Sequence, residues 1–155
     1  MQLEVDFVPS EPEVVEAMLA LADVRAGDMV YDLGCGDGRI VITAARKYGA
    51  RGVGIDIDPA RIAEANENAK RARVADKVRF RQGDVFAADF HDATVVTLFL
   101  RTDYNRKLRP RLLAQLKPGT RIVSHEHDFA EDWPPEKTVR VAGKPVHRWT
   151  VPERK

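Results

Sequence analysis

The chain has 155 residues, which leaves room for one domain of the usual size of roughly 150 residues and no more. Its 25 Lys and Arg balance 24 Asp and Glu, and the resulting net charge of +1 argues against a chain built to coat nucleic acid or an acidic membrane, while leaving room for local patches. A single cysteine excludes an internal disulfide framework and a multi-cysteine zinc site, and 44% hydrophobic with 32% charged residues is globular rather than disordered composition.

In chain order, the first element is a helix from Pro12 to Ala22. Ser10-Glu11-Pro12-Glu13 offers a capping box before it, and Val14, Val15, Met18, Leu19 and Ala22 share one face. Residues 1–27 read as an N-terminal cap segment and 28–155 as the core of the same single domain. Met29–Leu33 reads as a buried strand, followed by a glycine cluster and a helix from Arg39 to Tyr48. Gly52–Ile57 is the second strand, and Asp58-Pro59 opens the next helix, because Asp caps and Pro suits the first turn. Val78–Gln82 alternates with period 2 as a third strand. Ala93–Leu100, apolar on both faces, is a central parallel strand.

A helix is expected within Asp103–Leu116, with a kink or restart at Pro110. Thr120–Ser124 is strand five, and Thr138–Val141 with Val146–Val151 flank Ala142-Gly143-Lys144-Pro145 as a closing hairpin. This alternation predicts an α/β fold: a Rossmann-like, doubly wound, mostly parallel seven-stranded sheet with a C-terminal antiparallel hairpin. The hairpin is expected to add one antiparallel edge strand. Ligands on such sheets bind at the carboxyl ends of the strands, beside strand one. The longest apolar run, Thr94–Leu100, is too short to span a bilayer, and the N-terminus lacks the pattern of a secretory signal. A cytoplasmic protein, monomeric and not inserted in a membrane, is the expectation.

The chemistry is concentrated in Asp32-Leu33-Gly34-Cys35-Gly36-Asp37-Gly38. A dinucleotide fingerprint needs a glycine where Arg39 stands, so this loop does not match one. An acid instead precedes the first glycine by two residues. S-adenosylmethionine (SAM) carries no phosphate but has a cationic amino group and a sulfonium; a carboxylate at Asp32 suits it and would repel a pyrophosphate. Asp56 ends strand two at about the offset where an acid accepts from ribose hydroxyls, and Asp58 is the competing choice, better used as a helix cap. Gly83-Asp84-Val85 ends strand three. Asp84 can accept from the adenine amine, with Ile57 and Val85 against the ring. The cofactor-binding set expected from the sequence is therefore Asp32, Gly34, Cys35, Gly36, Asp56, Ile57, Gly83, Asp84 and Val85, with no metal.

With these motifs the chain resembles class I SAM-dependent methyltransferases from Asp32 to about Ser124. A narrower resemblance rests on Phe7-Val8-Pro9-Ser10, Tyr31–Ile40, Ala93–Thr97, Leu116–Arg121 and Val123-Ser124-His125-Glu126. These stretches are similar to the small archaeal broad-specificity protein-lysine methyltransferases. They are also similar to the mitochondrial lysine methyltransferases of the ATP synthase c-subunit and adenine nucleotide translocase. The resemblance implies methyl transfer to lysine on protein substrates.

The strand-four exit, Thr97-Leu98-Phe99-Leu100-Arg101, has neither the Asn/Asp-Pro-Pro-aromatic motif of base amino-group methylation nor a nucleophilic cysteine for pyrimidine chemistry. No complete metal-binding set for catechol-type transfer follows strand five, although Glu126 and Asp128 are present. Its apolar character suits a channel for a long aliphatic amine. Neutralising lysine at pH 7 costs roughly 4.6 kcal/mol, and desolvation lowers that cost. Phe7, Thr97, Phe99, Leu100 and His125 are the channel candidates, with His125 the best ionisable group. Methylation of RNA or a small metabolite, and SAM binding without catalysis, stay open as alternatives. Arg101, Arg106, Lys107, Arg109 and Arg111 read either as a solvated helix face or as a recruiting surface for an acidic protein or RNA. Trp133 reads either as a wall of the substrate entrance or as packing over the sheet edge.

Overall fold

The computed structural model describes residues 11–153. Twelve elements follow in order: α1 (Pro12–Leu21), β1 (Met29–Leu33), α2 (Arg39–Tyr48), β2 (Arg51–Asp56), α3 (Pro59–Arg71), β3 (Val78–Gln82), β4 (Val95–Leu98), α4 (Thr102–Gln115), β5 (Arg121–His125), a 3-10 turn (Ala130–Asp132), β6 (Lys137–Val141) and β7 (Lys144–Thr150). The seven strands form one sheet in the order β3-β2-β1-β4-β5-β7-β6. The first five in that order, β3 to β5, are mutually parallel and β7 runs antiparallel to both its neighbours, β5 and β6, so the predicted doubly wound, mostly parallel sheet is what the chain builds. The strand order reverses between β2 and β4, on either side of β1, which makes the carboxyl end of β1 the switch-point crevice.

Two cores explain why these segments adopt these elements. On one face α1, α2 and α3 lay Val14, Met18, Leu19, Ile40, Val41, Ala44 and Ala69 against the sheet. On the other, α4 buries Leu108, Leu112 and, at its end, Leu116 with Leu33, Ile55, Leu98 and Ile122. Trp149 of β7 closes that second core, 1% exposed and edge-on to Phe129 at 4.7 Å, an arrangement that contributes about 0.5–1.5 kcal/mol beyond burial. At the amino ends of the strands, away from the crevice, Arg121 pairs with Asp28 at 2.8 Å, and Thr94 Oγ1 donates to the same carboxylate at 2.7 Å.

Several local expectations are corrected. The N-cap of α1 is Glu11, without a side-chain cap, and Ser10 lies outside the described residues. β2 begins one residue early, at Arg51, and β4 is confined to Val95–Leu98. Pro110 does not interrupt α4: only one helical hydrogen bond is lost to its missing N–H, and Leu108 and Leu112 on either side stay fully buried. The hairpin turns on Ala142-Gly143 alone, both at positive φ, so Lys144 and Pro145 join β7. The one antiparallel strand of the hairpin is not at the edge as expected: it is β7, inserted between β5 and the edge strand β6.

Candidate cofactor crevice

The glycine loop leaves β1 and turns into α2 through three residues at positive φ, Gly34 (87°), Gly36 (54°) and Gly38 (84°). Only glycine holds this alternation without strain. The backbone N–H groups of Gly34 and Cys35 both donate to the Ile55 carbonyl, at 2.8 and 3.0 Å, which ties the loop to β2. Glycine is required on the other side of that contact too. A Cβ on Gly54 would sit 2.7 Å from the Cys35 Cβ and 2.7 Å from Phe80 Cδ1. Cys35 is thus a small buried residue at a close approach, as expected, and burial pushes its thiol well above the ordinary range.

Asp56, at the end of β2, locks the crevice from beneath. One carboxylate oxygen accepts from the Gly36 N–H at 2.9 Å and the other from the Asp58 N–H at 3.0 Å. Each oxygen keeps a further lone pair for a ligand hydroxyl. Asp58 caps α3, accepting from the Ala60 N–H at 2.9 Å, which is the division of labour the sequence suggests for the two acids. Gly83 N–H donates to the Asp56 carbonyl at 2.9 Å, so the ends of β2 and β3 are stitched together. Asp84 is exposed, with one oxygen accepting from the Phe86 N–H at 2.9 Å in a local turn. Between them Ile57 stands 55% exposed, the one large apolar side chain so exposed among the described residues, with Val85 half-buried nearby on the β3 side. An exposed isoleucine flanked by acids is a shelf for a flat apolar ring with polar edges.

Asp32 behaves differently. It is 2% exposed beneath the loop, and burial, reinforced by the charges of Asp56 and Asp37, pushes its carboxyl up to about 8. The hydroxyl of Thr97 opposes this, donating to Asp32 Oδ1 at 2.9 Å across the β1–β4 pairing. A buried acid held largely protonated at neutral pH is a receptor for a positive charge, because a cation nearby would draw out its proton. The crevice therefore fits a cationic ligand with a ribose-like diol and a flat base. Among the described residues no cluster of His, Cys, Asp and Glu could hold a metal.

Thr97 has a partner within the sheet. It is 0% exposed and is committed to Asp32. The sequence does hold a signal for this role, since Thr97 is the polar residue in an otherwise apolar β4. Phe99 and His125 come together at the exits of β4 and β5, with ring centroids 4.8 Å apart and an interplanar angle of 28°. Burial holds the His125 imidazole below its usual range, against the opposing charge of Glu126. Leu100 is buried, its Cδ2 3.3 Å from where a Cβ on Gly34 would sit. Phe7 lies outside the described residues.

Trp133 packs against Phe129 and Trp149, and its carbonyl accepts from Trp149 Nε1 at 2.8 Å, so it covers β7 on the side of the second core. An Asp37–Arg39 pair at 2.6 Å beside the glycine loop is a further feature that sequence reasoning did not single out.

The family model described as the ANTKMT methyltransferase domain matches residues 32–137. A protein-lysine N-methyltransferase of Saccharolobus islandicus (strain REY15A) is 45% identical over 138 residues, covering 88% of this chain and 85% of its own length. The adenine nucleotide translocase lysine N-methyltransferase of Mus musculus is 34% identical, covering 95% of this chain; this chain spans 66% of that protein. Among solved structures, an RNA methyltransferase from Salinibacter ruber in complex with S-adenosyl-L-homocysteine is 57% identical. It has a TM-score of 0.93 over 96% of both chains. A SAM-dependent methyltransferase from Geobacter sulfurreducens, also in complex with S-adenosyl-L-homocysteine, is 32% identical with a TM-score of 0.68. That match covers 75% of this chain and 48% of the other.

Proposed function

The chain belongs to the ANTKMT methyltransferase domain family and is a SAM-dependent methyltransferase, and from that premise we propose that it methylates lysine side chains of proteins. The observation that carries the lysine reading is the 45% identity to the archaeal protein-lysine N-methyltransferase over 85% of that protein's length. The apolar exit of β4, with no motif for methylating a nucleobase amine, supports it.

Bound SAM supplies an electrophilic methyl group on a sulfonium. Everything else falls to the chain's own residues. With SAM bound, Asp56 would accept from the ribose hydroxyls, Ile57 and Val85 would face the adenine, and Asp84 would accept from its exocyclic amine. The backbone at Gly34, Cys35, Gly36 and Gly83 would allow close approach, and Asp32 would lie under the positively charged end. Phe99, stacked on His125, and Leu100 border the acceptor side, where exclusion of water favours the neutral amine. His125 is the best ionisable candidate on this side for the proton the amine loses. The remaining requirement is alignment of amine, methyl and sulfur, which positioning supplies. Among the described residues no helix is long and apolar enough to cross a membrane. A single-domain monomer acting on cytoplasmic proteins completes the proposal.

A second reading, methylation of RNA, is favoured by the 57% identity to the Salinibacter ruber RNA methyltransferase. Tritiated SAM offered with the enzyme to total protein, total RNA and a small-molecule extract separates the readings. Label recovered as methyl-lysine from protein is the expected result. Label confined to RNA or to the metabolite fraction overturns the lysine reading, and SAM binding without transfer to any fraction overturns catalysis.

A further inference from the structure

The arginine-rich helix of the sequence and the arginines that are free in the structure are different sets. Around α4 each cation already has a role. Arg101 pairs with Asp103 and Arg106 with Asp132, Lys107 lies over the Phe86 ring, Arg109 over Trp133, and Arg111 donates to the Ala88 carbonyl. On the opposite face of the sheet, a groove of about 580 Å³ runs across α1, α2 and the end of α3. It is lined by four arginines, Arg39, Arg46, Arg71 and Arg73, against two carboxylates, Asp37 and Glu16. Both carboxylates are spent, Asp37 on Arg39 and Glu16 on Lys47, each at 2.6 Å. Arg46, Arg71 and Arg73 are exposed, and their guanidinium groups have no hydrogen-bond or ion-pair partner among the described residues.

We propose that this groove binds a nucleic-acid phosphate backbone, with Arg46, Arg71 and Arg73 each taking one phosphate. Three unpaired guanidiniums, Arg46 on α2, Arg71 at the end of α3 and Arg73 in the turn after it, make a site for a chain of anions, and the guanidinium fork matches phosphate geometry. The groove lacks what a protein partner needs. Its larger apolar side chains, Val15 and Ile42, are 2% and 7% exposed, the other apolar members are the small Pro12 and Ala72, and no aromatic ring lines it, so it offers no anchor of the kind that carries protein–protein affinity. Contacts that are electrostatic and carry no base readout are those of backbone binding. One end of the groove, at Asp37 and Arg39, adjoins the glycine loop, so a strand lying in it reaches the rim of the crevice. The groove's role is independent of whether lysine is the methyl acceptor.

The test is fluorescence anisotropy with a labelled 20-nucleotide single-stranded RNA, the same sequence as DNA, and a labelled polyglutamate peptide. Three phosphate contacts give a slope of about −2 in log affinity against log salt, so affinity for RNA or DNA should fall about twentyfold between 50 and 200 mM salt. R46E/R71E/R73E should abolish this binding while leaving SAM affinity unchanged. R46Q/R71Q/R73Q serves the same purpose if the charge reversal does not fold. RNA bound more tightly than DNA makes RNA the occupant, and equal affinity leaves the shared backbone as what is recognised; either supports the site. No binding of either nucleic acid, binding that survives in the glutamine variant, or polyglutamate bound as tightly as RNA overturns it.

Discussion

Burial of Asp32 has a thermodynamic consequence that can be measured without any substrate. In the unfolded chain its carboxyl titrates near 3.8, whereas beneath the glycine loop it is pushed up to about 8. At pH 7 the unfolded form has released this proton and the folded form mostly retains it. The folded state therefore binds more protons between those two values, so this group's contribution to stability falls as pH rises from about 4 to about 8. By pH 7 the gap amounts to about 4 kcal/mol. Asp32→Asn keeps an acceptor for Thr97 and removes the titration. In urea unfolding of the cofactor-free protein, the variant should match the wild type at pH 4 and exceed it by about 4 kcal/mol at pH 7. A difference that does not change with pH, or a wild type that gains on the variant as pH rises, refutes the reasoning.

Other expectations follow from the same geometry. Asp56→Ala removes a charged acceptor and frees the Gly36 N–H, and should weaken SAM binding by about 1.5–3 kcal/mol, roughly ten- to a hundredfold in Kd by calorimetry; an unchanged Kd would move the ribose to Asp58. Thr97→Val strips Asp32 of its hydroxyl donor and should cost about 1–3 kcal/mol, more at pH 8 than at pH 5; equal loss at both values contradicts the pairing. Gly54→Ala drives a Cβ to 2.7 Å from Cys35 and Phe80, and should cost about 1–3 kcal/mol and loosen SAM binding through the glycine loop; a variant with wild-type Tm and Kd would show that the contact yields.

Much of this crevice is legible in sequence because its determinants are local. Gly36 and Asp56 lie 20 residues apart, the length of one strand–helix–strand unit, and the structure joins them by a hydrogen bond. Asp58 reads as a cap because capping is settled within two residues, and it caps. The Thr97–Asp32 hydrogen bond is not legible, because the two residues lie 65 apart and only the parallel register of β1 with β4 sets them side by side. The insertion of β7 inside β6 is illegible for the same reason, since hairpin periodicity does not say which strand meets β5. Charge shows the limit most clearly. Several cations of the dense run around α4 find partners distant in sequence, such as Asp132 and Trp133, while Arg46 and Arg71, on separate helices, meet only in the fold.

The central claim is that carboxylates at three neighbouring strand ends hold a cationic nucleoside. A crystal structure grown with S-adenosylhomocysteine tests it most directly. The adenine should lie against Ile57 and Val85 with its amine toward Asp84, the ribose hydroxyls on Asp56, and the amino-acid end above Asp32 and Gly34. Density for the ligand in another part of the molecule, or a ribose that leaves Asp56 untouched, would contradict it.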